Sequence, residues 1–484
     1  MDLFCTKALA TLTLASVIAS GCGRVDKASN QKVYVRLTPS ALKEIGSVPF
    51  DRDHRFHDRF TFGYIDSDDL DALKGIDGIV PLDWGLALGS FDPTTLKVIE
   101  QGPDEDWFSG YHNYEQLTTL LRTLAQNYPE IATLESAGRS VDGRELWYMR
   151  IAKKSPDSVE GKRPKFLYVA NMHGDEVVGR ELSLELIQYL VDNYQSSARV
   201  QTLIDNGDLF IMPSMNPDGF ERGQRHNSRG SDLNRDFPDF STDPRDTVDG
   251  REPETKAIMD LHQSHHFVLA GNFHGGEVCF NIPWDSVPNG NQSQRFGDDS
   301  LMLEAGREYT VANAPMYANH HGNFNHGLTY GYEWYQVNGG MQDWSIYYRG
   351  STHATVELSA AKWPSASRLA SFWQDNREGM IRYMEHALFG AHLLLKDSSG
   401  LVLGDDVQVT VKSGTRSVRY LGPYLHRPLA SGQSRITIQA AGYASREITI
   451  GGRAFDGTFD PVILTPSDPA LVATKAKDPS GELP

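Results

Sequence analysis

What most constrains this chain is the alternation, over residues 111–390, of short apolar runs with longer amphipathic ones. The run KFLYVA at 165–170 reads as a buried strand, and residues 177–194 then carry helical spacing. LFIM at 209–212 and HFVLA at 266–270 are further buried-strand candidates. Strands separated by helices in this way predict an α/β sheet with helices on both faces. After residue 390 the pattern changes to short strands at 393–395, 407–411, 435–439 and 448–450, punctuated by turn residues such as Ser398-Ser399-Gly400. That predicts a β-sandwich over 390–466. Ahead of the α/β region, residues 31–105 hold strand-like VYVRL (33–37) and TFGYI (61–65), helix-like LDAL (70–73), and GIVP (78–81). These predict a small α/β module, of the kind that serves as a prodomain or a partner-binding unit. Residues 467–484 are polar and punctuated by proline, and are expected to form a disordered tail. Three units fit a chain of 484 residues at about 150 residues per domain.

Charge narrows the partners. The chain carries 46 Lys and Arg against 63 Asp and Glu, a formal net charge of −17. Such an acidic balance argues against a nucleic-acid binder and favours cationic partners. The three cysteines, Cys5, Cys22 and Cys279, are too few for a disulfide scaffold. Cys279 is expected to be a small buried hydrophobe. At the N-terminus, Lys7 precedes the apolar run ALATLTLASVI (8–18) and then Ala19-Ser20-Gly21-Cys22. The run is too short for a transmembrane helix and fits a signal peptide over residues 1–21. Small residues directly before a cysteine resemble a bacterial lipobox, which would make Cys22 a lipidation site. The expectation is export to the bacterial cell envelope as a lipoprotein, with plain secretion as the alternative. Membrane association would then run only through the lipid, with no transmembrane helix in the mature chain.

The chemistry concentrates where strand-like runs end. KFLYVA leads into Asn171-Met172-His173-Gly174-Asp175-Glu176, after which a helix begins. A histidine and a glutamate three residues apart on such a turn can point at one centre. Imidazole and carboxylate together suit Zn²⁺, and a catalytic zinc takes three protein ligands and keeps one position open. His274, closing another strand-like run ahead of Gly275-Gly276, offers the third ligand. Open α/β sheets build their sites at such strand ends. Arg225 and the run DLNRDFP at 232–238 suggest recognition of a carboxylate, which guanidinium binds bidentately. Glu357 interrupts the otherwise apolar ATVEL (354–358), and a buried carboxylate is costly unless paired or functional.

These residues lie within a series of motifs: YHNYEQLTTLL (111–121), GRSVDGRELW (138–147), NMHGDEVVGRE (171–181), NPDGFE (216–221), DLNRDFPD (232–239), HGGEVCFNIPWD (274–285), GGMQDW (339–344) and TVELS (355–359). In this order they resemble the zinc metallocarboxypeptidases, specifically the regulatory branch that includes carboxypeptidases N, E and D, with this chain as a bacterial member. The resemblance implies a mixed open sheet over 106–389, with a transthyretin-like β-sandwich after it. It also implies one Zn²⁺ per chain, held by His173, Glu176 and His274. By the same resemblance Arg225 would stabilise an oxyanion, Asn234 and Arg235 would clamp a C-terminal carboxylate, Tyr335 would cap the substrate, and Glu357 would be the general base. Asp285 matches an acidic position that selects basic side chains, and Gln342 its neutral partner. The expected function is a carboxypeptidase that removes C-terminal Lys or Arg from peptides or proteins. Two alternatives share the fold: a cell-envelope peptidase acting on peptidoglycan stem peptides, and a non-catalytic surface binding protein. The stretch between Tyr317 and Trp334 lacks the cysteine-bearing loop of animal relatives.

Overall fold

A computed structural model describes residues 32–37, 39–46, 48, 51–56, 60–66, 73, 76, 79–81, 110–154, 161–286, 295–320 and 324–467. The apolar N-terminal run, Cys22, residues 70–72 of the expected helix and residues 468–484 lie outside them. The chain divides into two units between residues 81 and 82. In the first, strands β1 (Lys32–Leu37), β2 (Asp51–Phe56), β3 (Phe60–Asp66) and β4 (Ile79–Pro81) form an antiparallel sheet in the order β2-β3-β1-β4. Helix Pro39–Glu44 contributes Ala41 to an apolar cluster with Leu37, Ile45 and Leu73.

In the second unit the alternation seen in the sequence becomes an eight-stranded mixed sheet. Its strands are β5 (Ala132–Arg139), β6 (Glu145–Ile151), β7 (Lys165–Ala170), β8 (Asp208–Met212), β9 (Phe267–His274), β10 (Glu277–Ile282), β11 (Leu328–Tyr330) and β12 (Thr352–Ser359). The order is β11-β10-β12-β9-β7-β8-β6-β5. The central strands β12, β9, β7 and β8 run parallel, while β10, β6 and β5 are antiparallel to the neighbours nearer the centre. Every residue of β9 and of β12 is buried, as expected of parallel strands covered on both faces.

Period-two geometry assigns the two faces. Phe166 and Tyr168 of β7 meet helix Leu369–Leu388, where the Tyr168 hydroxyl donates to the Met380 carbonyl at 3.1 Å. Leu167 and Val169 point the other way, into a cluster with Ile258 and Leu261 of helix Pro253–Ser264 and Trp344 of helix Met341–Arg349. Helices therefore cover both faces, as the sequence predicted.

Beyond helix Leu369–Leu388 the chain forms β13 (Phe389–Asp397), β14 (Gln408–Ser413), β15 (Arg416–Leu421), β16 (Tyr424–Pro428), β17 (Gln433–Ala440), β18 (Arg446–Gly451), β19 (Arg453–Ala454) and β20 (Asp460–Leu464). One sheet runs β16-β13-β19 with β20 also on β13, and the other runs β15-β14-β17-β18. Leu393, Leu395, Val409, Val411, Ile436, Ile438 and Val462 share one apolar core between them. This is the expected β-sandwich. Among the described residues no helix is long and apolar enough to cross a membrane.

A buried ionic knot joins the sandwich to the α/β sheet. Asp298, just ahead of helix Asp299–Ala312, is paired with Arg416 and Arg427 of the sandwich, the latter at 2.5 Å. Arg416 also donates to the Thr352 hydroxyl at 2.8 Å and to the carbonyls of Gly350 and Ser351 at 2.7 and 3.0 Å, at the head of β12. Burial pushes the Asp298 carboxyl up, but the two guanidiniums outweigh it and hold it below the usual range. Removing the acid strands two buried cations. Asp298→Ala is therefore expected to cost about 3–5 kcal/mol, read from urea unfolding of the whole chain, whereas a loss under 1 kcal/mol would mean that water or another acid replaces it.

Candidate active site

The turn after β7 is shaped by three residues. Asn171 adopts a positive φ of 56°, which asparagine tolerates because its short amide can bond locally. Its Nδ2 donates to the carbonyls of His173, Gly174 and Glu176 at 3.0, 3.2 and 3.3 Å, and its Oδ1 accepts from the Ser214 hydroxyl at 2.8 Å. Gly174 lets helix Pro217–Glu221 approach closely, since a Cβ there would lie 2.2 Å from the Gly219 carbonyl carbon. The chain then enters helix Val178–Asn193 with His173 and Glu176 directed to one point. His274 reaches the same point from the end of β9.

The ligand atoms of His173, Glu176 and His274 all lie within 4.8 Å of one another, and all three residues are buried. His173 Nδ1 stands 3.0 Å from Glu176 Oε2 and 3.1 Å from His274 Nδ1, and His274 Nδ1 stands 2.8 Å from Glu176 Oε2. On its other side His173 Nε2 lies 3.1 Å from Asp232 Oδ1. A proton shared with that carboxylate leaves Nδ1 as a lone pair facing the other two donors. Two imidazoles and a carboxylate converging with free lone pairs fit a divalent metal with one open position.

Each member of the triad is held in a distinct charge environment. Burial lowers the His173 pKa, but its bonds to Asp232 and Glu176 outweigh burial and raise it overall. For Glu176 burial pushes upward, and the two histidines pull its carboxyl well below the usual range. His274 has a lowered pKa, chiefly through burial. Lys362 Nζ sits 3.0 Å and Arg225 Nη1 3.3 Å from Glu176 Oε1, and Arg225 Nε is held by Asp232 Oδ2 at 3.0 Å. Asn171, Asp232 and Lys362 escaped the sequence reading. Asn171 and Asp232 stood inside quoted motifs, so their signal was present without a role.

A cavity of about 180 Å³ opens on the triad. Besides the three candidate ligands it is lined by Arg225, Asn234, Arg235, Asp285, Tyr335 and Glu357, so nine expected residues are brought together. Asn234 is fixed by its Oδ1, which accepts the Met341 N–H at 3.1 Å, and Arg235 donates to the Asn234 carbonyl at 2.7 Å. Tyr335 is half exposed. Glu357 lies next to His274 in the β12–β9 register, and its Oε2 is buried without a hydrogen-bond partner among the described residues. Burial, with the Glu176 charge behind it, pushes the Glu357 carboxyl well up.

Asp285 is a further buried acid of the cavity, beside Glu176 and Glu357. It accepts from Asn281 Nδ2 at 2.8 Å, while its own N–H is taken by Asp343 at 2.9 Å. Burial raises its pKa to about 6, against the opposing pull of Asn281 and Arg235. Gly331 makes room for it, because a Cβ there would lie 2.0 Å from Asp285 Oδ1. Gln342 is not brought into the lining. It is buried on the first turn of helix Met341–Arg349, with neither amide atom partnered among the described residues. Cys279 is buried and free, and burial pushes its thiol well up, as expected of an inert core residue.

Comparison with known proteins agrees with this geometry. A family model described as zinc carboxypeptidase matches residues 117–379. Human carboxypeptidase D is 36% identical over 363 residues, covering 70% of this chain and 26% of that protein. Carboxypeptidase SOL1 of Arabidopsis thaliana is 35% identical over 360 residues, covering 72% of each chain. Mouse carboxypeptidase M is 38% identical over 313 residues, covering 60% of this chain and 69% of that one. The chain thus spans about a quarter of the length of carboxypeptidase D and about 70% of the other two.

The bond between Asp232 and His173 generates a prediction that does not depend on turnover. Outer partners of metal-binding histidines typically contribute 10–100-fold in affinity. Asp232→Asn should weaken Zn²⁺ binding by about that factor in competition with a chromogenic chelator. Affinity equal to that of the unaltered chain would show that Asp232 does not tune His173.

Proposed function

The chain belongs to the zinc carboxypeptidase family, and on that premise we propose that it is a zinc-dependent exopeptidase that removes C-terminal lysine or arginine from peptides or proteins. The observation that carries this reading is the convergence, in one cavity of about 180 Å³, of the His173–Glu176–His274 triad, a buried acid at Glu357, the guanidinium of Arg235 and a second buried acid at Asp285.

Each residue has a task that follows from its place. Arg235, steadied by Asn234, offers a guanidinium to a free C-terminal carboxylate, a group that an internal peptide bond does not present. Tyr335, half exposed, can close over the bound end. When present, zinc held by the triad supplies Lewis acidity for the scissile carbonyl and acidity for a water molecule. Glu357, its Oε2 without a hydrogen-bond partner among the described residues, takes the water's proton and passes it to the leaving amine. Arg225, tied to Asp232, stands ready for negative charge developing on the carbonyl oxygen. Because the Glu176 charge contributes to the high pKa of Glu357, neutralising that charge makes the base easier to ionise.

Asp285 supports the preference for basic residues. Its ionised carboxylate lies in a water-poor site, where pairing with a Lys or Arg side chain is strong. Its pKa near 6 lies above the ordinary 3.8, so the charge is present at pH 7 and is lost as pH falls through 6. Peptides differing only in their last residue, assayed with and without a chelator, test the proposal. Lys and Arg should be released fastest, the chelator should abolish release, and KM for these substrates should rise between pH 7 and pH 5. Asp285→Asn should reduce kcat/KM for them by about 10–100-fold, the scale of a hydrogen bond to a charged group. Equal release of neutral residues would contradict the basic preference, and chelator-resistant hydrolysis would contradict the zinc reading. Cleavage of muropeptide stems in preference to basic peptides would transfer the activity to the cell wall.

A further inference from the structure

A second cavity, of about 890 Å³, lies at the opposite end of the strands that carry the triad. Strands β7, β9 and β12 are parallel neighbours. Each starts at this cavity, through Lys165, His266 and Gly350, and runs toward the catalytic end, through His173, His274 and Glu357. Seven or eight residues at about 3.3 Å each place roughly 20–25 Å between the two cavities. The second cavity is therefore no subsite for the last residues of a peptide bound at the triad. Its far wall comes from β15 and β16 of the sandwich.

Its charge is opposite to that of the molecule. In a chain of net charge −17, the lining holds Lys162, Arg163, Lys165, Arg349 and Arg419 against one carboxylate, Asp405. Arg349 is paired with Asp246, and Arg163 donates to the Lys153 carbonyl at 2.6 Å. Lys162 and Arg419 have no ion-pair partner among the described residues, and Lys165 donates to the Gly161 carbonyl at 3.3 Å with Asp208 opposite it in the sheet. Tyr347, Tyr348, Tyr420 and Tyr424 line the cavity beside these cations. Lys162 Nζ stands 4.2 Å from the centre of the Tyr424 ring, Tyr420 packs edge-on against His266, and Tyr347 at the rim is 56% exposed. Cations set among tyrosine faces suit a ligand that carries anions on rings with apolar flanks. A cleft walled by two domains admits a chain of such rings, whereas a bilayer surface needs a convex or flat partner.

We propose that this cavity is a binding site for an acidic saccharide, whose carboxylates pair with Lys162, Lys165 and Arg419 and whose ring faces lie on the tyrosines. The site is separate from peptide hydrolysis, and its test does not depend on the catalytic reading. The experiment is calorimetric titration of the full chain with a hexamer of galacturonic acid. Maltohexaose serves as the neutral control, and oligoglutamate and a single-stranded oligonucleotide as rival anions. The acidic hexamer should bind, weaken with added salt, and bind at least tenfold less tightly to the double variant Lys162→Gln, Arg419→Gln. Hydrolysis of a short peptide should be unchanged in that variant, which also reports that it is folded. Loss of hydrolysis together with binding would overturn the separateness of the two sites. Absence of binding, equal binding of maltohexaose, unchanged affinity in the folded variant, or tighter binding of either rival anion would overturn the proposal.

Discussion

The register between β9 and β12 is the constraint on which the rest of the site depends. It sets Glu357 beside His274, and β7 on the other side of β9 delivers the turn bearing His173 and Glu176. Side chains alternate between sheet faces, so a slip of one residue in either pairing would send Glu357 or His274 to the opposite face. Burial of every residue in both strands makes such a slip costly. Arg416, bonded to Thr352 and to the carbonyls of Gly350 and Ser351, fixes the head of the strand whose far end carries Glu357. The sandwich thus contributes to the placement of the buried acid without touching the cavity.

The second organising feature is the handling of buried charge. Acids in and around the cavity are pushed in opposite directions according to their partners. Glu176, between two imidazoles, stays far below the ordinary carboxylate range, and Asp232 likewise lies low beside His173 and Arg225 despite the opposing effect of burial. For Glu357 and Asp285 burial prevails over the opposing pull of Lys362 and Arg225 on the first and of Asn281 and Arg235 on the second, and both are raised. Titratable groups whose environments pull their pKa values apart are the signature of assigned acid, base and electrostatic roles. Glu176 is one of the three candidate metal ligands and Asp232 bonds another, while Glu357 and Asp285 line the same cavity.

Much of this was legible in the sequence because the chemistry sits on strongly patterned segments. KFLYVA became β7, the following His173 and Glu176 turned inward as their spacing implied, and His274 ended β9 as its place in an apolar run suggested. Less was legible where function depends on contacts distant in sequence. Asp232 meets His173 from 59 positions away, and Lys362 reaches Glu176 from 186 positions away. Nothing in the local sequence marks either pairing. Strands β15 and β16 were missed because inward positions are polar: Arg416 is buried by its pairing with Asp298, and Arg427 likewise. Gln342, expected in the cavity from its motif, is buried on the first turn of its helix and does not line the cavity. A motif gives a residue's neighbours in sequence without giving the direction of its side chain.

The central claim is that Glu357 is the base of a metal-dependent hydrolysis and not a structural acid. Its test is the kinetics of Glu357→Gln, measured beside zinc content and inhibitor affinity on the same preparation. The amide keeps the shape of the side chain but cannot accept the water's proton, and loss of a general base typically costs about 10²–10⁴ in rate. The account predicts that this variant retains one zinc per chain and binds a C-terminal product with near-normal affinity, while kcat falls by that factor. A kcat near that of the unaltered enzyme, with zinc retained, would contradict it.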